Sequence, residues 1–192
     1  EQSNATNQKT FKDYTFTLTT DIDLRSHLWQ QIGHGKNGFQ GTLNGNGHTV
    51  RGIYANNGGT EKYVGFINYL NRGGTVKNLT VRGYVSGTNT TKQWYYFGGL
   101  VGCAEKSVIE NCNNACILAV GGEEGNFYAG GIVGSADDTS IQGCTSNGTI
   151  KNTGNSSAVV IGGIVGNWAG GMIAGAILSG NVHKGKIVYP SI

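Results

Sequence analysis

The chain of 192 residues carries a single proline, Pro190, the third residue from its end. Proline deletes a donor from a β ladder, so nothing before that position forbids continuous strand pairing. Charged residues make up only 13% of the sequence, against a usual share of about 25%. The net charge is +3, and no basic stripe interleaves with aromatics, which argues against a nucleic-acid partner. No apolar run approaches the ~18 residues of a membrane helix, so no membrane insertion is expected. Four cysteines are too few for a disulfide scaffold. His27, His34, His48 and His183 lack zinc-ligand spacing, so no metal is expected. Gly45-Asn46-Gly47 has no βαβ unit around it, and no Gly-x-Ser-x-Gly elbow occurs, so no cofactor and no serine nucleophile are expected.

Glycine, in contrast, supplies 34 residues, far above the average of roughly 7%. Much of it recurs at a fixed period. Val64-Gly65-Phe66-Ile67, Gly98-Gly99-Leu100-Val101, Gly130-Gly131-Ile132-Val133 and Gly162-Gly163-Ile164-Val165 each open a unit, with steps of 34, 32 and 32 residues. Such a period marks stacked supersecondary units, none able to bury its apolar face alone. The second half of each unit repeats as well. Val76, Ile109, Ile141 and Ile173 share one register, followed by Leu79, Cys112, Cys144 and Ala176. A turn position then holds Gly83, Cys116, Gly148 and Gly180, and Val85, Leu118, Ile150 and Val182 come next.

These apolar positions alternate at period two between Gly, Asn and Ser clusters, the pattern of short strands joined by tight turns. No segment sustains a helical period. The predicted fold is all-β, a parallel β-helix (β-solenoid) of about five to six coils with ~32-residue repeats. Stacked strands then lie ~4.8 Å apart, and inward positions form ladders of like residues. Residues 1–14 are expected to form a tail or cap, and 15–192 a single β-helix domain. Its units fall near 63–96, 97–128, 129–160 and 161–185, with 186–192 as a C-terminal strand or cap. The Asn44-Gly45-Asn46-Gly47 turn places residues 15–53 in the first coils. The missing initiator Met suggests that a signal peptide or upstream domains have been removed.

Leu18-Thr-Thr-Asp-Ile-Asp-Leu24, Trp29-Gln-Gln-Ile-Gly33, Phe39 through Ile53, Gly74-Thr-Val-Lys-Asn-Leu79 and Gly98-Gly-Leu-Val-Gly102 together resemble the GLUG-motif β-helix family. Ile109-Glu-Asn-Cys112 and its repeat Ile141-Gln-Gly-Cys144 belong to the same pattern. The resemblance runs from about residue 14 to 185. It implies an extracellular module of bacterial surface adhesins, or of the non-catalytic regions of immunoglobulin A-specific metallopeptidases, without catalytic residues. Asn68, standing where later units have Gly102, Gly134 and Gly166, departs from the pattern, as does Cys116.

Candidate sites are few. Polysaccharide-cleaving chemistry or calcium binding needs carboxylates converging from neighbouring coils. Glu105 and Asp137 share a register, with Asp138 beside them, and are the candidates for a calcium site or an acidic pair, although a solvated turn with weak salt bridges is the favoured reading. Asp21 and Asp23 read as a structural signature. Cys112 and Cys144 share a register, but parallel stacking holds their Cβ atoms farther apart than a disulfide wants, which favours buried thiols. Ile109, Ile141, Ile173, Cys112 and Cys144 are thus assigned to structural ladders. Trp94, Tyr95, Tyr96 and Tyr128 form the candidate partner-binding edge, since aromatics in a row stack on sugars or anchor proteins.

The functional expectation is a non-catalytic extracellular or cell-surface module acting in adhesion or as a self-associating, filament-forming subunit. Its partners would be itself, head to tail, or a host glycan or surface protein. The rivals are a β-helix enzyme acting on acidic polysaccharide and a substrate-positioning domain of a larger secreted peptidase.

Overall fold

A computed structural model describes residues 9–58, 61–89, 91–122, 126–154, 158–170 and 176–190. Every strand pairing among them is parallel, and each turn of the chain visits four walls in the same order. The first wall stacks six short strands: Thr15–Thr17, Thr42–Asn44, Thr75–Lys77, Val108–Glu110, Ser140–Gln142 and Leu178–Ser179. The second wall is the longest, and its strands include Thr49–Asn56, Thr80–Asn89 and Ile117–Gly122. The third wall holds Tyr63–Val64, Trp94–Gly98, Asn126–Gly130 and Ala158–Gly162. The fourth holds Ile67–Asn71, Val101–Glu105, Val133–Asp137 and Val165–Trp168. The fold is therefore a parallel β-solenoid of about four complete turns, with partial turns at both ends supplying the two extra strands of the first wall.

The ladders follow from the strand period of two. Phe16, Leu43, Val76, Ile109, Ile141 and Leu178 pair in sequence along the first wall. Val76, Ile109 and Ile141 are wholly buried. Cys112 and Cys144 continue the column beneath Leu79 as buried free thiols. Cys112 donates to Glu110 O at 3.3 Å, and Cys144 to Gln142 O at 3.4 Å. Its contact with Cys144, and then burial, push the Cys112 thiol well above its ordinary value. Cys103 lies within a strand rather than at a turn.

The predicted register holds through three units and fails in the last. Ile141 pairs with Leu178, not with Ile173, which lies outside the described residues. Likewise Thr145 pairs with Val182, Ile150 with Ile187, and Gly185 rather than Gly180 approaches Gly148. The step is 37 residues instead of 32. The five extra residues fall between Ala169, which still bonds to Ala136 O at 2.8 Å, and Leu178. Asn181 takes the place below Cys144. It accepts from the Cys144 amide at 2.8 Å and donates to Ile141 O at 2.7 Å.

Four successive corners after the first wall each hold one residue in the left-handed region, which glycine and asparagine visit most readily. Asn78 and Asn111 (φ 52° each), Gly143 (60°) and Gly180 (63°) fill these places on successive turns. A second column is polar. Val81 is followed by Asn114, Ser146 and His183, each packed over the small surface of Gly99, Gly131 or Gly163, where a Cβ would collide with it. Asn114 Oδ1 accepts from the Cys116 amide at 2.9 Å, while its Nδ2 and Ser146 Oγ, both buried, have no hydrogen-bond partner among the described residues.

Candidate functional site

The aromatic edge is split by strand alternation. Trp94, Tyr96 and Tyr128 face outward and are half-buried. Tyr95 does not join them: it points into the core with 4% of its surface exposed, beside fully buried Phe97 and Phe127. Its hydroxyl lies 3.3 Å from Thr91 Oγ1. The outward rings stack largely on one another. Trp94 and Tyr128 lie 4.4 Å apart at 22°, and Tyr96 and Tyr128 lie 5.5 Å apart at 13°. Faces spent on neighbouring rings are lost to a sugar, so this row mainly shields the third wall.

The row extends one rung further than the sequence suggested. Tyr63 pairs with Tyr96, and its ring lies 5.5 Å from Tyr96 and 5.7 Å from Tyr69 of the fourth wall. The repeat spacing would have revealed Tyr63, 33 residues before Tyr96. That spacing did not reveal Tyr69, because its register partner on the next turn is Cys103 and the ring it packs on, Tyr63, belongs to the third wall. The Tyr69 hydroxyl donates to Glu105 Oε2 at 2.6 Å. Burial first, and then that bond, raise the Tyr69 phenol well above its ordinary value, and burial pushes Tyr63 up to about 12. Burial, reinforced by Glu105, pushes the nearby Cys103 thiol up to about 12 as well.

Glu105 and Asp137 are paired rung to rung at the end of the fourth wall. Asp138 occupies the left-handed corner that follows (φ 46°), equivalent to Lys106 (49°) and Arg72 (44°) in earlier turns. Glu105 is engaged by Tyr69 and, at 3.9 Å, by Lys106. The register thus brings Glu105 and Asp137 together, but one carboxylate is held by a hydrogen bond and the neighbouring Asp138 serves a corner.

Asp21 and Asp23 clasp the first turns. Asp21 accepts from the Thr49 amide at 3.0 Å, with His48 Nδ1 at 3.2 Å; Asp23 accepts from the Arg25 amide at 2.9 Å and from Arg51 Nε at 3.2 Å. On the second wall an outward row of Leu28, Tyr54, Tyr84 and Ile117 is exposed, with Tyr54 and Tyr84 stacked at 6.1 Å; the sequence reading did not single it out.

The most extensive apolar exposure is at the ends. Of the fourteen exposed large apolar side chains among the described residues, ten sit in the terminal turns. Tyr14, Phe16, Ile22 and Leu28 lie at one end; Ile177, Leu178, Val182, Ile187, Val188 and Tyr189 lie at the other. Phe11 packs on Phe16 and Phe39 at 5.4 and 6.3 Å and partly covers the first end. Residues 1–8 of the expected cap and 191–192 of the expected final strand lie outside the described residues.

Comparison with known proteins agrees with this architecture. Residues 125–151 match the GLUG motif, the unit that spans the third wall through the start of the second. A segment of 77 residues is 36% identical to a protein of Evansella cellulosilytica provisionally named a Gly-rich membrane protein. The match covers 36% of this chain and 9% of that relative, so the chain is similar to a small part of a much longer protein. No solved structure matches the chain.

Proposed function

We propose that this chain, a GLUG-motif β-helix, is a non-catalytic module of a cell-envelope protein, serving as a structural unit whose ends stack on further β-helical coils. The observation that carries this reading is the concentration of exposed apolar side chains at the two ends, on or beside strands that are the outermost of their parallel walls among the described residues. Open edges of this kind pair with another chain unless covered. Phe16 and Leu178 are the two ends of a single inward ladder, so a second copy stacked head to tail would continue it in register. A heterologous contact that does not close builds a filament. The envelope location is supported by the name of the Evansella relative, and adhesion would fall to the flanks. Ladder positions occupied by packing side chains, and a Glu105 engaged with Tyr69, favour this reading over polysaccharide cleavage.

Light scattering over a concentration series, paired with negative-stain microscopy, tests the stacking. The wild-type chain is expected to grow into linear assemblies, and Leu178→Asp to remain monomeric. A wild type that stays monomeric at every concentration would overturn self-stacking.

A further inference from the structure

The loop before Phe39 and the corner leading into the third wall enclose a cleft of about 520 Å³. Its lining includes His34, Lys36, Glu61, Lys62, Tyr63 and Tyr69. We infer that this cleft binds a carboxylate-bearing sugar, a uronate residue, with the carboxylate between Lys36 and Lys62 and the pyranose ring against Tyr69.

Charge argues for an anion. Glu61, the single acidic residue of the lining, is held by His34 Nε2 at 2.7 Å. Glu105, behind Tyr69, is already engaged by that tyrosine and by Lys106. Neither Lys36 nor Lys62 has a carboxylate partner among the described residues. Two lysines thus stand against one acid in the lining, and Lys62 rests only on the faces of Tyr63 and Tyr96, which leaves a surplus of positive charge at the cleft.

Shape argues for a sugar rather than a bare anion. Tyr69 lines the cleft as a half-buried ring, braced from behind by Tyr63 at 5.7 Å, and a site for phosphate alone has no use for an aromatic wall. The site is also pre-formed. Asn68, which replaces the glycine of later turns, donates from Nδ2 to Tyr63 O at 2.5 Å. The Phe39 amide donates to Tyr69 O at 2.8 Å, tying the loop to the fourth wall. The Lys62 ammonium lies 5.7 Å from the Tyr63 ring centre and 5.6 Å from that of Tyr96, which holds it near the rim. Later turns have Gly102 and Gly134 at the Asn68 position and no loop equivalent to residues 33–38, so the cleft occurs at this turn alone among the described ones.

The inference draws on the proposed surface role only for where such a sugar is met, and its test is independent of end stacking. Isothermal titration of the full chain with trigalacturonic acid is set beside maltotriose and inorganic phosphate. Saturable binding of the uronate trimer alone is expected. Lys62→Gln should weaken it roughly tenfold, the size of one charge-assisted hydrogen bond, while Lys151→Gln, on the second wall, leaves it unchanged. Lys36→Gln provides the same readout should Lys62→Gln disturb the circular dichroism spectrum. No saturable binding, equal binding of phosphate, or equal losses in the Lys62 and Lys151 variants would overturn the assignment.

Discussion

Asp21 and Asp23 sit at alternate positions of the first turn, and their exposed carboxylates act on backbone rather than on a ligand. A hydrogen bond from the Thr49 amide holds Asp21 below the ordinary carboxylate value of 3.8, helped by His48 and Arg51. The Arg25 amide does the same for Asp23, helped by Arg51. A depressed folded value means that the contribution to stability is present above 3.8 and is lost as the pH falls through the lower folded value. On acidification from about pH 5 to about pH 2, the Thr49 and Arg25 amide resonances should therefore shift with midpoints below 3.8. Midpoints at or above that value would show that the clasps do not form in solution. It was the resemblance to the GLUG-motif family that marked the aspartates as structural residues, and their i, i+2 spacing puts both on one strand face. Tyr95 was misplaced for a related reason. A run of four aromatics, Trp94 to Phe97, hides the alternation that sends the second and fourth inward.

At the scale of the element, the corner after the first wall decides which residue types the repeat tolerates. Gly143 has φ +60°, and an added Cβ would lie 2.6 Å from Asn111 Oδ1 on the previous turn. Gly143→Ala should cost about 1 kcal/mol or more in urea unfolding, from the left-handed penalty alone. Asn111→Gly, at φ 52° on the turn before, should change stability far less. Equal costs would mean that the corner relaxes out of the left-handed region. The sequence pattern pointed instead to the turn position of Gly83, Cys116 and Gly148, and placed Gly180 there rather than at this corner. The final unit was misread because its apolar residues also fit a 32-residue step. Five additional residues shift Leu178, Val182 and Ile187 into the columns that Ile173 and its neighbours were expected to fill.

At the scale of the whole molecule, stability is a sum of turns and of the interfaces between them. Inner turns are covered on both sides and end turns on one, as the exposed Phe16 and Leu178 against the buried Val76 and Ile109 illustrate. Hydrogen exchange should accordingly be slowest for Val76, Ile109 and Ile141 amides and fastest for those of the two terminal turns. Ile109→Ala should cost ~2–5 kcal/mol and lower protection throughout the inner turns. Uniform protection from end to end would instead mean that the terminal turns are covered, by residues of this chain or by another copy.

The sequence by itself determined the repeat, the parallel stacking, the ladders of the inner turns and the buried state of Cys112 and Cys144. All are local consequences of side-chain period and turn chemistry, copied from unit to unit. The tertiary structure alone decided what lies between walls. Tyr63 of the third wall packs on Tyr69 of the fourth, His34 meets Glu61 across 27 positions, and the polar column of Asn114, Ser146 and His183 fills the space over a glycine column of another wall. Such contacts depend on how far the walls lean toward one another at each corner. No period along the chain records that distance.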